Sequence, residues 1–405
     1  MSIESVHVLE PAAPQQPSSA APVIPLAEFS QRVQRAQELI RAAGFDALLV
    51  NSNEADFANV RYFSDYWTLF ETAGVLIPAR GEPALLIGPE SGAYARDRSR
   101  IRKIHKMVEY RESADPAYPG VPVSTFPEAF ADIGVPSPQR LGLGGYLVTT
   151  APLVDSLHRG FPGLRIEPAD SLMVKLRAVK SDAELACLRR AFEISEQAVA
   201  AVLEEIRPGL TERQVVGIAQ QVMYQNGAEY EGHPTYILAG RSSSHAISRP
   251  TAKVLGAGEL VQLNVGARVS GYSSSVGLPV CLGKMDTSMR ELVEFGLEAH
   301  AHTIRGLRAG VAACDLARRY RQLFIHRGYA RNFLYGPCHG LGMMEVEPPW
   351  MEETSNYPLA ENMTFQVDTF VHSDNFGLRW ENGGCVTSAG FELFSGQYRR
   401  LIELT

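Results

Sequence analysis

The sequence is short of the features that mark several protein classes. Five cysteines among 405 residues are an odd number, and none forms a C-x-x-C pair. That argues against a disulfide framework and a cysteine zinc site, and leaves Cys187, Cys281, Cys314, Cys338 and Cys385 as reduced, mostly buried thiols. There is no run of Lys and Arg, the net charge is −7 and the pI is about 5.9. The phosphate-neutralising stripe that a nucleic-acid partner needs is therefore missing. No apolar stretch reaches the roughly 20 residues that span a bilayer. The N-terminus offers neither a basic n-region nor an apolar h-region, so the expectation is a soluble, cytoplasmic chain with no membrane partner.

What is present is enough for a sizeable core: 45% of residues are hydrophobic and 20% charged, most simply two globular domains. Residues 1–25 are rich in Pro, Ala, Ser and Gln and cannot offset their own ordering entropy, which predicts a tail or an arm lying on a partner subunit. From Leu26 a helical pattern runs to Gly44, followed by the short apolar runs DALLV (46–50), GVLIP (74–78), PALLI (83–87), IHKMV (104–108) and RLGLGG (140–145). Helix, turn residues and strands in this order predict a small α/β domain over residues 26–170. In the second unit, residues 171–405, Ser181 with Glu184 and Thr211 with Gln214 have the spacing of capping boxes before amphipathic helices. Strand-like segments follow near 234–239, 259–266 and 276–283, then helices over about 287–308 and 313–328, then strands near 363–371 and 379–387. Two helix pairs, each followed by antiparallel strands, give an α+β fold class.

Five ordered segments carry a family likeness: LRAVKSDAELACLRRA (176–191), GELVQLNVGARVSGYSSSVG (258–277), GPCHGLGMMEVEPP (336–349), NMTFQVDTF (362–370) and GLRWENGGCVT (377–387). With them the chain resembles the creatinase, prolidase and methionine-aminopeptidase superfamily, peptidase family M24. The resemblance implies a C-terminal pita-bread catalytic domain behind a smaller creatinase-type N-terminal domain. In metal-dependent members Asp, Asp, His, Glu and Glu bridge two ions, because hard cations want several anionic oxygens. Carried over, these positions hold Asn264, Ser275 eleven residues later, His339, Asp368 and Glu381. Two of the five are neutral, so a two-ion site is not expected; if one ion is bound, its ligands are His339, Asp368 and Glu381. The second histidine of metal-dependent members falls on Val346, flanked by Glu345 and Glu347.

Creatinase likewise has Asn at the first position and works without metal through a histidine, which points to the metal-free, creatinase-like branch with no cofactor. The expected enzyme is then a metal-independent hydrolase that cleaves a C–N bond of a small polar substrate, an amidino or guanidino compound, a cyclic amidine or an amide. In this reading His245, in GRSSSHAISRP, activates water and returns the proton. His339, Asp368 and Glu381 complete the catalytic group. Asn264, Ser275, Glu347, His233 and Arg379 bind the substrate, the carboxylates facing its cationic group because uncompensated acids in one cleft need a cation or a proton. A structural Arg379–carboxylate pair is the competing account of part of that cluster. His300, His302 and His326 fall on helices and read as surface groups. The resemblance also implies a homodimer whose N-terminal domain, through RYFSDYWTLF (61–70), completes the partner's site. Two alternatives stay open: a metal-dependent Xaa-Pro dipeptidase or aminopeptidase with a reduced metal site, and a non-catalytic pseudo-peptidase that binds a peptide or partner.

Overall fold

A computed structural model describes residues 21–404; most of the expected N-terminal arm lies outside that range. The helix Leu26–Ala43 ends at Gly44, whose φ of 70° lets its N–H turn back onto the carbonyls of Arg41 and Ile40. It covers a mixed six-stranded sheet in the order Lys103–Lys106, Ala84–Ile87, Ala73–Pro78, Ala47–Ser52, Arg140–Gly144, Arg165–Pro168. Ala47–Ser52 sits in the middle, antiparallel to Ala73–Pro78 and parallel to Arg140–Gly144, and every one of its residues is buried. That two-sided burial is why ALLV reads as a continuous apolar run instead of an alternating one.

Both capping boxes form: Ser181 caps the helix Asp182–Glu205 and Thr211 caps Glu212–Gln225. These helices, with Thr287–Gly306 and Ala313–His326, pack on a sheet of nine strands among the described residues. Its central path runs Glu347–Met351, Cys338–Gly340, Thr364–His372, Gly377–Val386, Val276–Cys281, Leu260–Val265, Tyr236–Ala239. The creatinase-type N-terminal domain and the α+β catalytic domain of the pita-bread architecture are thus both present. The units meet through buried polar contacts: Arg32 donates to the Tyr272 hydroxyl at 3.0 Å, and Tyr272 in turn donates to Glu184 at 2.6 Å.

Strand register does the rest. Asp368 lies opposite Glu381, Glu381 opposite Gly277, Gly277 opposite Asn264, and His339 opposite Gln366. Neighbouring strands are about 4.8 Å apart, so side chains far apart in sequence converge on one patch of the sheet. Behind it, Gly296 lets the helix Thr287–Gly306 press against Leu378 and Trp380, where any side chain would collide. One turn on, His300 is fully buried and bridges Thr369 Oγ1 (3.2 Å) and Asn382 Oδ1 (2.9 Å). This corrects its reading as a surface group; His326 is exposed and His302 half-buried. The cysteines are free and all but Cys314 are buried.

Candidate active site

Glu381, 3% exposed, is the centre of the cluster. Its Oε2 accepts from Asn264 Nδ2 and, at 2.7 Å, from the Ser275 hydroxyl. Gln262 Nε2 donates to Asn264 Oδ1 at 2.8 Å, which turns the Asn264 amide so that its N–H faces the carboxylate. Gly277 makes this approach possible, since a Cβ there would land on Asn264 Nδ2 and on Glu381 itself. Ser275 Oγ also lies 2.9 Å from His233 Nε2, while His233 Nδ1 donates to the Pro234 carbonyl at 2.7 Å. Burial holds the His233 imidazole below its ordinary range.

Across the strand pair, Asp368 Oδ2 accepts from the Tyr335 hydroxyl at 2.7 Å. Arg379 Nε stands 3.2 Å from Asp368 Oδ1, but the two do not align as a hydrogen bond and both atoms stay unpartnered. Arg379 Nη2 donates instead to Tyr335 (2.9 Å) and to the Ala246 carbonyl (2.7 Å). Arg379 therefore pairs with Asp368 rather than with its near neighbour Glu381.

His339 supplies the third side. The ladder shifts register between His339 and Gly340, and the ring lies stacked on Trp350 with centroids 5.5 Å apart. Nδ1 is 3.0 Å from the Gly340 carbonyl, a geometry in which Nδ1–H donates and Nε2 is left with its lone pair. That lone pair faces two acids, Glu345 Oε1 at 3.7 Å and Glu381 Oε1 at 3.9 Å. One ligand atom each of His339, Asp368 and Glu381 lies within 4.8 Å of the others. Burial, with Glu381 beside it, raises the Glu345 carboxyl well above the carboxylate range. Burial, only partly countered by Arg379, also raises Asp368. For Glu381 burial acts upward too, but the Arg379 charge and the hydrogen bond from Ser275 outweigh it and hold the group low.

These contacts decide how many cations the donor set suits. Asn264 and Ser275 point N–H and O–H at Glu381, and hydrogen-bond donors repel a cation, so a two-ion centre does not fit. A single ion fits on three counts: a bare imidazole nitrogen, an Asp368 oxygen with no hydrogen-bond partner, and Glu381 alongside.

Of the residues named from the sequence, His339, Asp368, Glu381, Asn264, Ser275, His233 and Arg379 come together. Two do not. His245 stands exposed beyond the turn Gly240–Ser244, and its only side-chain partner among the described residues is Ser248, at 3.4 Å. Glu347 turns the other way and is buried against Arg177 and Lys180 (2.9 Å to the latter). Burial acts upward on its carboxyl, but those two cations prevail and lower it, so it has no charge to spare for a substrate. Glu345 takes its place in the cluster, 8% exposed, while Val346 between them is 52% exposed. Tyr335, Gln262 and Trp350 were also not singled out; Tyr335 and Trp350 lie only four residues before and eleven after His339, which was the one available signal.

Comparison with known proteins bears on the chemistry. The family model described as Metallopeptidase family M24 matches residues 186–388, and that of the Creatinase/Prolidase N-terminal domain matches residues 32–179. An Xaa-Pro dipeptidase of Pyrococcus horikoshii is 26% identical over 378 residues, covering 92% of this chain and 99% of the relative. An Xaa-Pro dipeptidase of Lactobacillus delbrueckii subsp. lactis is 28% identical over 249 residues, 61% of this chain and 68% of the relative. Among solved structures, the prolidase of Pyrococcus horikoshii superposes with a TM-score of 0.79 at 23% identity, over 92% of this chain and 100% of that one. The X-Pro aminopeptidase of Thermotoga maritima gives 0.79 at 22%, over 92% and 99%. At that identity the superpositions speak for the fold alone. The expectation of a metal-free, creatinase-like hydrolase of amidino compounds is overturned: the relatives carry Xaa-Pro dipeptidase names, and His339, Asp368 and Glu381 converge as a ligand set. No helix among the described residues is long and apolar enough to cross a membrane.

Proposed function

The chain belongs to metallopeptidase family M24, and from that premise we propose that it hydrolyses the amide bond of small Xaa-Pro peptides with one divalent cation held by His339, Asp368 and Glu381. The observation that carries the reading is the His339 tautomer. With Nδ1–H committed to Gly340, the Nε2 lone pair faces carboxyl oxygens of Glu345 and Glu381, an arrangement that a cation between them satisfies. When bound, that ion supplies Lewis acidity toward the scissile carbonyl.

The remaining work belongs to the protein. Asn264 and Ser275 fix one oxygen of Glu381 and leave the other toward His339. Tyr335 holds Asp368 Oδ2, and the Arg379 guanidinium stands against Oδ1. His233 keeps a proton at Nδ1 against Pro234, with Nε2 2.9 Å from the Ser275 hydroxyl oxygen. Trp350, stacked on His339, and Tyr236, 5.6 Å from the His233 ring, offer flat apolar faces that suit a pyrrolidine ring. The reading includes a homodimer in which Leu69 and Phe70, 55% and 75% exposed at a loop of the N-terminal unit, are covered by the second copy. Sedimentation that finds a fully active monomer would remove that part.

The test is a comparison of Xaa-Pro with matched Xaa-Gly dipeptides, before and after chelator treatment and re-addition of Mn²⁺, Co²⁺ or Zn²⁺. Cleavage of the Xaa-Pro bond that chelation abolishes and metal restores is the expected result. Cleavage that survives complete removal of metal, or no cleavage of any Xaa-Pro peptide by the metal-loaded protein, would overturn the proposal.

A further inference from the structure

We propose that Glu345 is a fourth protein ligand of this ion, making the centre a one-histidine, three-carboxylate site; the inference rests on the one-ion reading above. Glu345 is more than nine-tenths buried, and its Oε1 has no hydrogen-bond partner. That oxygen is 3.7 Å from His339 Nε2, nearer than the Glu381 oxygen at 3.9 Å, so it is aimed at the lone pair that Gly340 leaves bare. Among the described residues no Lys or Arg nitrogen lies within ion-pair distance of it; Arg379, the neighbouring cation, is committed to Asp368, Tyr335 and the Ala246 carbonyl. A carboxylate buried without a partner is costly, and natural sites hold one only where something compensates it.

Charge and ligand count agree. Ionised around a cation, Glu345, Asp368 and Glu381 set against Arg379 leave two negative charges beside a neutral imidazole, which one divalent ion balances. One nitrogen and three carboxylate oxygens give the four donors that zinc and similar ions prefer. The same segment shows why Glu345 fills this place. Val346, at the position of the family's second histidine, points to the surface, while its predecessor turns inward beside His339. Asn264 and Ser275 stand where the resemblance puts acidic ligands, and Glu345 returns one acid beside His339.

The experiment is calorimetric titration of the chelator-stripped full chain with Zn²⁺ and with Co²⁺ alone, together with the visible absorption of the Co²⁺ form, which reports coordination. Wild type is expected to take one ion. Glu345→Gln is expected to keep that stoichiometry and its circular dichroism, to bind at least about 10-fold more weakly, and to change the Co²⁺ spectrum; Val346→Ala is expected to match wild type. Unchanged affinity and spectrum in Glu345→Gln would overturn the inference and leave the one-ion reading intact. No binding by wild type would overturn both. Should Glu345→Gln fail to fold, Glu345→Asp, one methylene shorter, is expected to bind one ion more weakly with a shifted spectrum, and wild-type behaviour there would equally overturn the inference.

Discussion

Glu345 and Glu347 are two residues apart, both buried, and in opposite electrostatic states. Glu347 is paired: Arg177 and Lys180 reach it from the segment that joins the two domains, and Gly342 gives it room. Glu345 faces His339 and two further acids with one oxygen unpartnered. Equal burial thus gives opposite pKa shifts, down for Glu347 and up for Glu345. Burial alone does not tell a structural carboxylate from a functional one; the partner supplied or withheld does.

The sharpest way to break this contrast is to remove each acid in turn. Glu347→Ala strands two cations in the interior and is expected to cost about 3–5 kcal/mol of stability. Glu345→Gln, which replaces a carboxyl that burial and Glu381 already hold toward its neutral form in the metal-free chain, is expected to change stability there by less than about 1 kcal/mol. Urea unfolding of both variants without metal checks the pair, and equal destabilisation would erase the distinction. A second test concerns His300, which holds the strands of Asp368 and Glu381 from behind and whose burial lowers its pKa to about 4. The folded value lies below the unfolded one, about 6.5. Stability is therefore complete above about pH 6.5 and falls as the unfolded chain takes up the proton first, by about 3 kcal/mol at pH 4. His300→Gln should flatten this part of the pH profile of unfolding; a parallel profile would mean that His300 is not the group responsible. Smaller again is Gly342→Ala, whose Cβ would meet the Glu347 carboxylate. A loss of about 1–3 kcal/mol is expected, nearly absent when the same change is made on Glu347→Ala, as a double-mutant cycle by thermal unfolding would reveal.

The same stretch marks where sequence reading succeeds and where it stops. Capping boxes at Ser181 and Thr211, the Gly44 terminus and the alternation in TFQVDTFVH are local signals, and the elements follow them. His339, Asp368 and Glu381 were legible because each stands in a motif on a regular strand, where register carries it to the site. Glu345 and Glu347 share parity and would share a face in a regular strand. Gly340–Val346 is not one: the ladder shifts register after His339 and the next strand begins only at Glu347, so parity no longer says which acid points inward. His245 sits in a turn, whose side chains have no periodic direction. His300 was legible in principle, since Leu292, Val293, Gly296, Ala299, His300 and Thr303 form one buried helical stripe. The missing Asp pair at Asn264 and Ser275 tipped the sequence reading toward a metal-free enzyme, with one ion on His339, Asp368 and Glu381 kept as the alternative; the convergence of those three side chains and the names of the relatives favour the alternative.

The central claim is a single cation beside His339, and diffraction from crystals soaked in Zn²⁺, recorded on both sides of the zinc absorption edge, tests it most directly. The account predicts one anomalous peak in the cluster, within bonding distance of His339 Nε2 and of oxygens from Glu345, Asp368 and Glu381. Two peaks there, or none at saturating Zn²⁺, would contradict it.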